Sequence, residues 1–117
     1  MRAISVEVVP KDQGATVVLT GELDLSTAAR VERELIRAEQ AQPEVLALDL
    51  SRLEFIDSTG LRIVIAADAR ARKEGRRLVV VAGPPSVHRV FRIALLDRRL
   101  EFVEDAESIP WTDDDND

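Results

Sequence analysis

The amino-acid sequence predicts one α/β domain: a mixed sheet of four to five strands that begins with a hairpin and carries about four helices. Two observations lead to this prediction. Apolar runs of strand length alternate with longer segments whose apolar residues recur every three or four positions. The 117 residues are also enough to bury a single core. We expect the domain to cover residues 1–110, and residues 111–117, dominated by aspartate, to form a disordered acidic tail.

The first two strands are predicted to pair as a hairpin. Residues 4–9 alternate loosely in polarity and stop at Pro10, as an edge strand can. The second strand, residues 15–20, follows a turn at residues 12–14. Further strands are predicted at residues 45–50, 78–82 and 100–103. The first of these is almost wholly apolar, which favours a central strand that is covered on both faces.

Three helices and a short helical turn complete the predicted order. They are expected at residues 26–41, at residues 58–74, from Pro85 onward and at residues 106–109. Either Ser26 or Thr27 would cap the first helix, and Gly75 would end the second. The third helix has one apolar stripe, formed by Val87, Val90, Phe91, Ala94 and Leu95.

The composition narrows the classes of function. A net charge of −6 argues against a nucleic-acid-binding surface, which needs clustered basic residues. The absence of cysteine excludes disulfides, thiolate catalysis and thiolate metal sites. No run approaches the roughly 18 consecutive apolar residues of a membrane span, and no apolar leader is evident at the N-terminus. We therefore expect a cytoplasmic protein with no membrane span, metal or cofactor.

Ser58 stands at the start of the second predicted helix, in the segment Asp57-Ser58-Thr59-Gly60. Serine is favoured at helix N-termini, so position alone favours a helix cap. Gly60 and the apolar residues 61–67 point to a second role. A glycine in the first turn costs up to about 1 kcal/mol relative to alanine, which makes sense where another molecule's backbone comes close. An apolar surface beside it would suit docking, although a helix wedged between neighbours explains the same residues.

A phosphate on Ser58 would act as a switch in this position. It would add about −1.5 to −2 charges, which the N–H groups and dipole of a helix N-terminus tolerate. A partner packed against the segment would not tolerate it, because Asp57 is already negative. A second polar segment, Gly21-Glu22-Leu23-Asp24 followed by Ser26, also ends a strand, and strand-end loops collect at one sheet edge. We expect the two segments to be close, although a turn glycine and a capping acid would look the same.

Three segments resemble the STAS domain family. They are Thr20-Gly21-Glu22-Leu23-Asp24, Leu53-Glu54-Phe55-Ile56-Asp57-Ser58-Thr59-Gly60-Leu61 and Pro85-Ser86-Val87-His88-Arg89-Val90-Phe91. The resemblance extends to about Phe102, and its most specific part is the tetrapeptide Asp-Ser-Thr-Gly. Within the family, the chain is similar to the bacterial anti-sigma factor antagonists that act in sporulation and the general stress response.

The resemblance implies regulation by partner switching. The unphosphorylated protein would bind an anti-sigma factor that is also a serine kinase, and would thereby release a sigma factor. The kinase would then phosphorylate Ser58, and a serine phosphatase would restore the protein. The resemblance implies no direct contact with nucleic acid and leaves a weak homodimer open. Leu25 carries no weight in the resemblance, because the residue at that position varies within the family. The implied partner-binding residues are Gly21, Glu22, Leu23, Asp24, Ser26, Asp57, Ser58, Thr59, Gly60, Arg62 and Ile63.

A serine hydrolase is the enzymatic alternative. It would combine Ser58 with the only histidine, His88. The nucleophile elbow Gly-x-Ser-x-Gly needs small residues on both sides of the serine, and Ile56 stands where the first glycine belongs. His88 looks like an ordinary surface residue on the third helix. We therefore expect a regulator rather than an enzyme.

Two further alternatives share the α/β architecture. A response-regulator receiver phosphorylated on Asp49 or Asp57 needs a lysine after a late strand, and the only lysines, Lys11 and Lys73, are wrongly placed. The other alternative has the same STAS fold and no switch. It is a constitutively bound subunit of a larger assembly, such as a stress-signalling scaffold or a lipid-transport complex.

Overall fold

A computed structural model describes residues 3–111 and has one five-stranded sheet whose strands lie in chain order. The strands are β1 (Ile4–Lys11), β2 (Gly14–Leu23), β3 (Val45–Ile56), β4 (Arg77–Val81) and β5 (Phe102–Val103). β1 pairs antiparallel with β2, and every later pair is parallel. The mixed sheet and the N-terminal hairpin are therefore confirmed.

Three α-helices connect the parallel strands: α1 (Ala28–Glu39), α2 (Ser58–Lys73) and α3 (Pro85–Ile93). They pack on the sheet face that carries Leu46, Leu48 and Leu50 of β3. Crossovers between neighbouring parallel strands keep one hand, so strands in chain order place all their helices on the same face. A short 3-10 turn, Ala106–Ser108, follows β5, which agrees with the expected number of about four helices.

The part of the opposite sheet face that β3 and β4 form is covered by the chain beyond β5. Val45 and Ala47 of β3 form a second apolar cluster with β4 and with Ile109, and Trp111 packs against it. The prediction that β3 is covered on both faces is thus confirmed, with a C-terminal segment in place of a helix on one side. The predicted acidic tail lies, from residue 112, outside the described residues.

β2 and β3 are longer than predicted. They reach Leu23 and Ile56 rather than residues 20 and 50, and they remain paired to those ends. The pairing has irregularities between Val18 and Thr20 and between Gly21 and Glu22. The predicted strands followed local runs of apolar residues, which give way to polar residues near Thr20 and Ser51, so both predictions ended too early.

One predicted helix end and part of one predicted apolar stripe are wrong. α1 ends at Glu39 rather than at Ala41. In α3, the apolar stripe stops at Phe91, because Leu95 takes a left-handed backbone conformation with φ 61° just after the helix. Ala94 and Leu95 are therefore exposed instead of completing the stripe.

An ion pair joins α1 to α2 at the end of α2 that is remote from Ser58. Arg70 donates two hydrogen bonds to the carboxylate of Glu39, from Nε to Oε1 at 2.7 Å and from Nη2 to Oε2 at 2.9 Å. Only 8% of the Glu39 side chain is exposed. The hydrogen bond to Glu39 raises the pKa of Arg70 above its ordinary value.

Glu39→Ala is expected to lower the free energy of unfolding by about 1–3 kcal/mol, because it leaves a partly buried guanidinium without its acceptor. Urea unfolding followed by circular dichroism measures the loss. The matched control is Glu101→Ala, which removes the acceptor of a bidentate but exposed ion pair with Arg77. This variant should lower the free energy of unfolding by less than about 1 kcal/mol. Equal losses would contradict the role of burial.

Candidate functional site

The carboxyl ends of β2 and β3 lie side by side and bring the two polar segments together. Leu23 pairs with Ile56 at the ends of the strands. The N–H of Asp57 donates to the carbonyl of Leu23 at 3.2 Å, and the N–H of Leu25 donates to Oδ2 of Asp57 at 3.3 Å. The expectation that the segments around Asp24 and Ser58 lie close together is confirmed.

Asp57, not Ser58, caps α2. The backbone of Asp57 is extended, and its Oδ1 accepts a hydrogen bond from the N–H of Gly60 at 3.0 Å. Ser58 is the first residue inside the helix, so its side chain is not placed to cap and the expected capping role is wrong. Its side chain is exposed, and among residues 3–111 its hydroxyl makes no hydrogen bond. The hydroxyl is therefore open to a modifying enzyme.

Gly60 is required by the protein's own packing. It is buried, and a Cβ there would lie 2.7 Å from Cγ1 of Ile56 and 2.8 Å from Cγ of Leu23. The close approach that excludes a side chain thus comes from β2 and β3. The expectation that Gly60 makes room for another molecule is corrected.

The apolar first turns of α2 belong to the core. Ile63, Val64 and Ala67 are buried, and Leu61 and Ile65 pack against the same cluster. The helix is wedged between its neighbours, which was the simpler of the two interpretations. The expectation of an apolar docking face on this part of α2 is therefore wrong.

The loop between β2 and α1 is held by its own side chains. Oδ1 of Asp24 accepts hydrogen bonds from the N–H and hydroxyl of Ser26 at 2.9 and 2.7 Å, and from the N–H of Thr27 at 3.2 Å. Thr27 occupies the cap position of α1, but its hydroxyl turns back and donates to the carbonyl of Glu22 at 2.8 Å. Asp24 is consequently 8% exposed and organises the loop from within.

Gly21 marks the point where β2 bends beside β1. Its φ is +115°, a region that residues with a side chain rarely adopt, and a Cβ would overlap the carbonyl of Ala3. Glu22, the next residue, also contacts Ala3: its Oε1 accepts a hydrogen bond from the N–H of Ala3 at 3.3 Å. Gly21 and Glu22 therefore attach the start of β1 to the site.

The predicted partner-binding residues differ widely in exposure. Exposed are Ser26, Ser58 and Arg62; partly exposed are Gly21, Glu22, Asp57 and Thr59; buried are Leu23, Asp24, Gly60 and Ile63. Members of the last group reach a partner only through the shape that they impose on the surface.

The sequence analysis gave no role to two apolar side chains at this surface. Leu25 is 78% exposed and Phe55 is 38% exposed. With Asp24, Ser26 and Asp57 they line an open depression of about 480 Å³. The signal in the sequence was a large apolar residue inside a polar turn, between Asp24 and Ser26.

His88 is not an ordinary surface histidine. Its ring lies 4.8 Å from that of Phe102, edge to face, and 6.4 Å from that of Phe91. Its Nδ1 is buried, with no hydrogen-bond partner among the described residues. No hydrogen bond joins His88 to Ser58 within residues 3–111.

Neither a metal centre nor a membrane span is found in the part of the chain that the structure describes. Within residues 3–111, no group of three or more histidine, aspartate or glutamate side chains could hold a metal ion. Over that same range no helix has the length and hydropathy needed to cross a bilayer.

The chain is similar to a STAS family model and to proteins named as anti-sigma factor antagonists. The family model described as "Mlab, STAS domain" matches residues 6–104. The anti-sigma-F factor antagonist RsfB of Mycobacterium tuberculosis is 33% identical over 81 residues, which are 69% of this chain and 66%, just under two thirds, of RsfB. The anti-sigma-B factor antagonist of Listeria monocytogenes is 29% identical over 100 residues, 85% of this chain and 88% of that protein.

A solved structure has the same architecture. The crystal structure of an anti-sigma factor antagonist from Mycobacterium paratuberculosis superposes with a TM-score of 0.84. The two sequences are 29% identical, and the superposition covers 92% of this chain and 91% of that one.

Proposed function

The chain belongs to the STAS domain family, and we propose that it is an anti-sigma factor antagonist that acts in the cytoplasm. Unphosphorylated, it binds an anti-sigma factor and so releases a sigma factor. The observation that carries this proposal is the exposed hydroxyl of Ser58, which makes no hydrogen bond among residues 3–111 and lies on a surface shared by the ends of β2 and β3. The names of the relatives in Mycobacterium and Listeria support it.

Phosphorylation of Ser58 turns the protein off by changing the charge of this surface. The first N–H groups of a helix have no helical partner. The carboxylate of Asp57 accepts a hydrogen bond from the N–H of Gly60. The N–H groups of Ser58 and Thr59 are therefore left to face an added phosphate. The helix therefore accommodates the phosphate, whereas a partner would have to desolvate it beside the carboxylate of Asp57.

The chain itself is proposed to catalyse no reaction. The anti-sigma factor, acting as a serine kinase, supplies the phosphoryl transfer from ATP, and a separate serine phosphatase removes the phosphate. The chain contributes a hydroxyl in a fixed position, because Asp57 binds both the first turn of α2 and the loop at Leu25.

The proposal is tested by purifying the full chain from its native cell and identifying the bound proteins by mass spectrometry. An anti-sigma factor with a kinase domain should co-purify. The isolated complex, given ATP, should phosphorylate Ser58 and then dissociate, while a complex with Ser58→Ala should stay intact. A phosphate found only at other residues, or no release after modification of Ser58, would reject the proposal.

A second function uses the same surface without the switch: a constitutively bound subunit of a larger assembly. The exposed side chains of Leu25 and Phe55 favour it, because permanent interfaces are more apolar than transient ones. The same experiment separates the two functions. A permanent subunit keeps its partner whether or not Ser58 carries a phosphate.

A further inference from the structure

Leu25 is an apolar side chain held in the open by a rigid turn. A single exposed leucine is ordinary on a protein surface. This one is 78% exposed, yet the backbone around it is fixed on both sides. Asp24 accepts two hydrogen bonds from Ser26, and the N–H of Leu25 itself donates to Asp57 at 3.3 Å. A side chain presented by a fixed backbone loses little entropy on binding.

One carboxylate sets the position of Leu25 relative to Ser58. Oδ2 of Asp57 accepts from Leu25, and Oδ1 accepts from Gly60 in the first turn of α2. Ser58 follows Asp57 directly in the chain. The apolar side chain and the modifiable hydroxyl therefore belong to one continuous, preorganised surface.

The depression beside Leu25 shows what a partner would meet. Phe55, which pairs with Glu22 across the strands, lines it together with Leu25. Ser26 and Asp57 line its polar side. A complementary surface would offer an apolar socket whose rim carries basic or other hydrogen-bond-donating groups.

We propose that Leu25 is the specificity-determining anchor of this surface and inserts into an apolar socket on the anti-sigma factor, with Phe55 completing the contact. The inference rests on the proposed function and adds the chemistry by which the partner is selected. An anti-sigma factor with a polar or filled surface at this place would be rejected, since Leu25 would stay exposed or clash. Ser58 decides whether the contact forms, and Leu25 decides with which partner.

The test is calorimetric titration of the anti-sigma factor that co-purifies with the wild-type chain. Leu25→Ala should bind about 10- to 100-fold more weakly, which is the scale of losing one buried leucine. Leu25→Met should stay within about threefold of wild type, because it restores an apolar side chain of similar size. Ile93→Ala is the matched control: its side chain is 70% exposed on α3, and its affinity should not change.

A kinetic readout separates an anchor from a merely structural residue. With the same anti-sigma factor acting as kinase, Leu25→Ala should raise the KM for the chain as protein substrate and leave kcat nearly unchanged. Ser58 and Asp57 remain in place in this variant. A fall in kcat at constant KM would overturn the anchor role.

The remaining outcomes are also decisive. Equal affinity of Leu25→Ala and wild type overturns the inference and leaves the proposed function intact. Loss of self-association in sedimentation, with binding to the anti-sigma factor unchanged, assigns Leu25 to a contact with a second copy of the chain and overturns it as well. If the wild-type chain binds no anti-sigma factor, the proposed function fails and the inference fails with it.

Discussion

Ser58→Glu is expected to bind the anti-sigma factor at least about 100-fold more weakly than Ser58→Ala, a difference of about 3 kcal/mol. The side chain is exposed on the surface that joins the ends of β2 and β3, which the partner covers in the proposed complex. The carboxylate of Asp57 lies in the same turn, and a second negative group beside it would have to be desolvated without a counter-charge. Isothermal titration calorimetry measures both affinities.

The control for this prediction is a glutamate in the first turn of another helix. Ser86 is exposed in the first turn of α3, so Ser86→Glu changes net charge and helix-end charge equally. It should bind as the wild type does. Circular dichroism of Ser58→Glu should match that of wild type, because a negative group is tolerated at a helix N-terminus. Indistinguishable affinities of Ser58→Glu and Ser58→Ala would reject the switch.

Gly21→Ala is expected to lower the free energy of unfolding by about 3 kcal/mol or more. The residue has φ +115°, where a side chain adds about 1–3 kcal/mol of strain. Its Cβ would also overlap the carbonyl of Ala3 and lie 3.3 Å from Cα of Ile4, so β1 would have to move. Urea unfolding followed by the fluorescence of the single tryptophan, Trp111, measures the loss.

Gly75→Ala is the comparison for Gly21→Ala. Gly75 has φ +70°, so the variant has backbone strain, but a Cβ would meet nothing within 4 Å. It should cost about 1–2 kcal/mol. A similar loss in both variants would mean that the contact with Ala3 relaxes freely and that β1 is not held at this point.

The fold was largely predictable because each element has a local cause. The apolar run in β3, the spacing of apolar residues in α1 and the glycine after α2 need no knowledge of distant neighbours. The ends of β2 and β3 were not predictable in this way. Their last residues remain in the sheet because the two strands support each other past the bulge near Gly21.

The sequence predicted which two segments form the candidate site, but it did not predict which of their side chains form its surface. The closeness of Asp24 to Ser58 follows from parallel strands ending at one edge. Which side chains face outward does not follow, because that depends on packing across β2, β3 and α2. Leu25 was therefore given no weight and Phe55 no role, while Ile63, expected at the surface, lies in the core.

By itself, the sequence determined the α/β order, the position of Ser58 at the start of a helix and the family resemblance, all of which depend on residue types and their spacing. Only the tertiary structure decided the roles within the tetrapeptide. Asp57 caps the helix because its extended backbone lets the carboxylate reach Gly60, and Gly60 is needed because Leu23 and Ile56 press against it. Ser58 is thereby freed from the capping role, since that bond is already made, and its hydroxyl faces solvent beside Leu25.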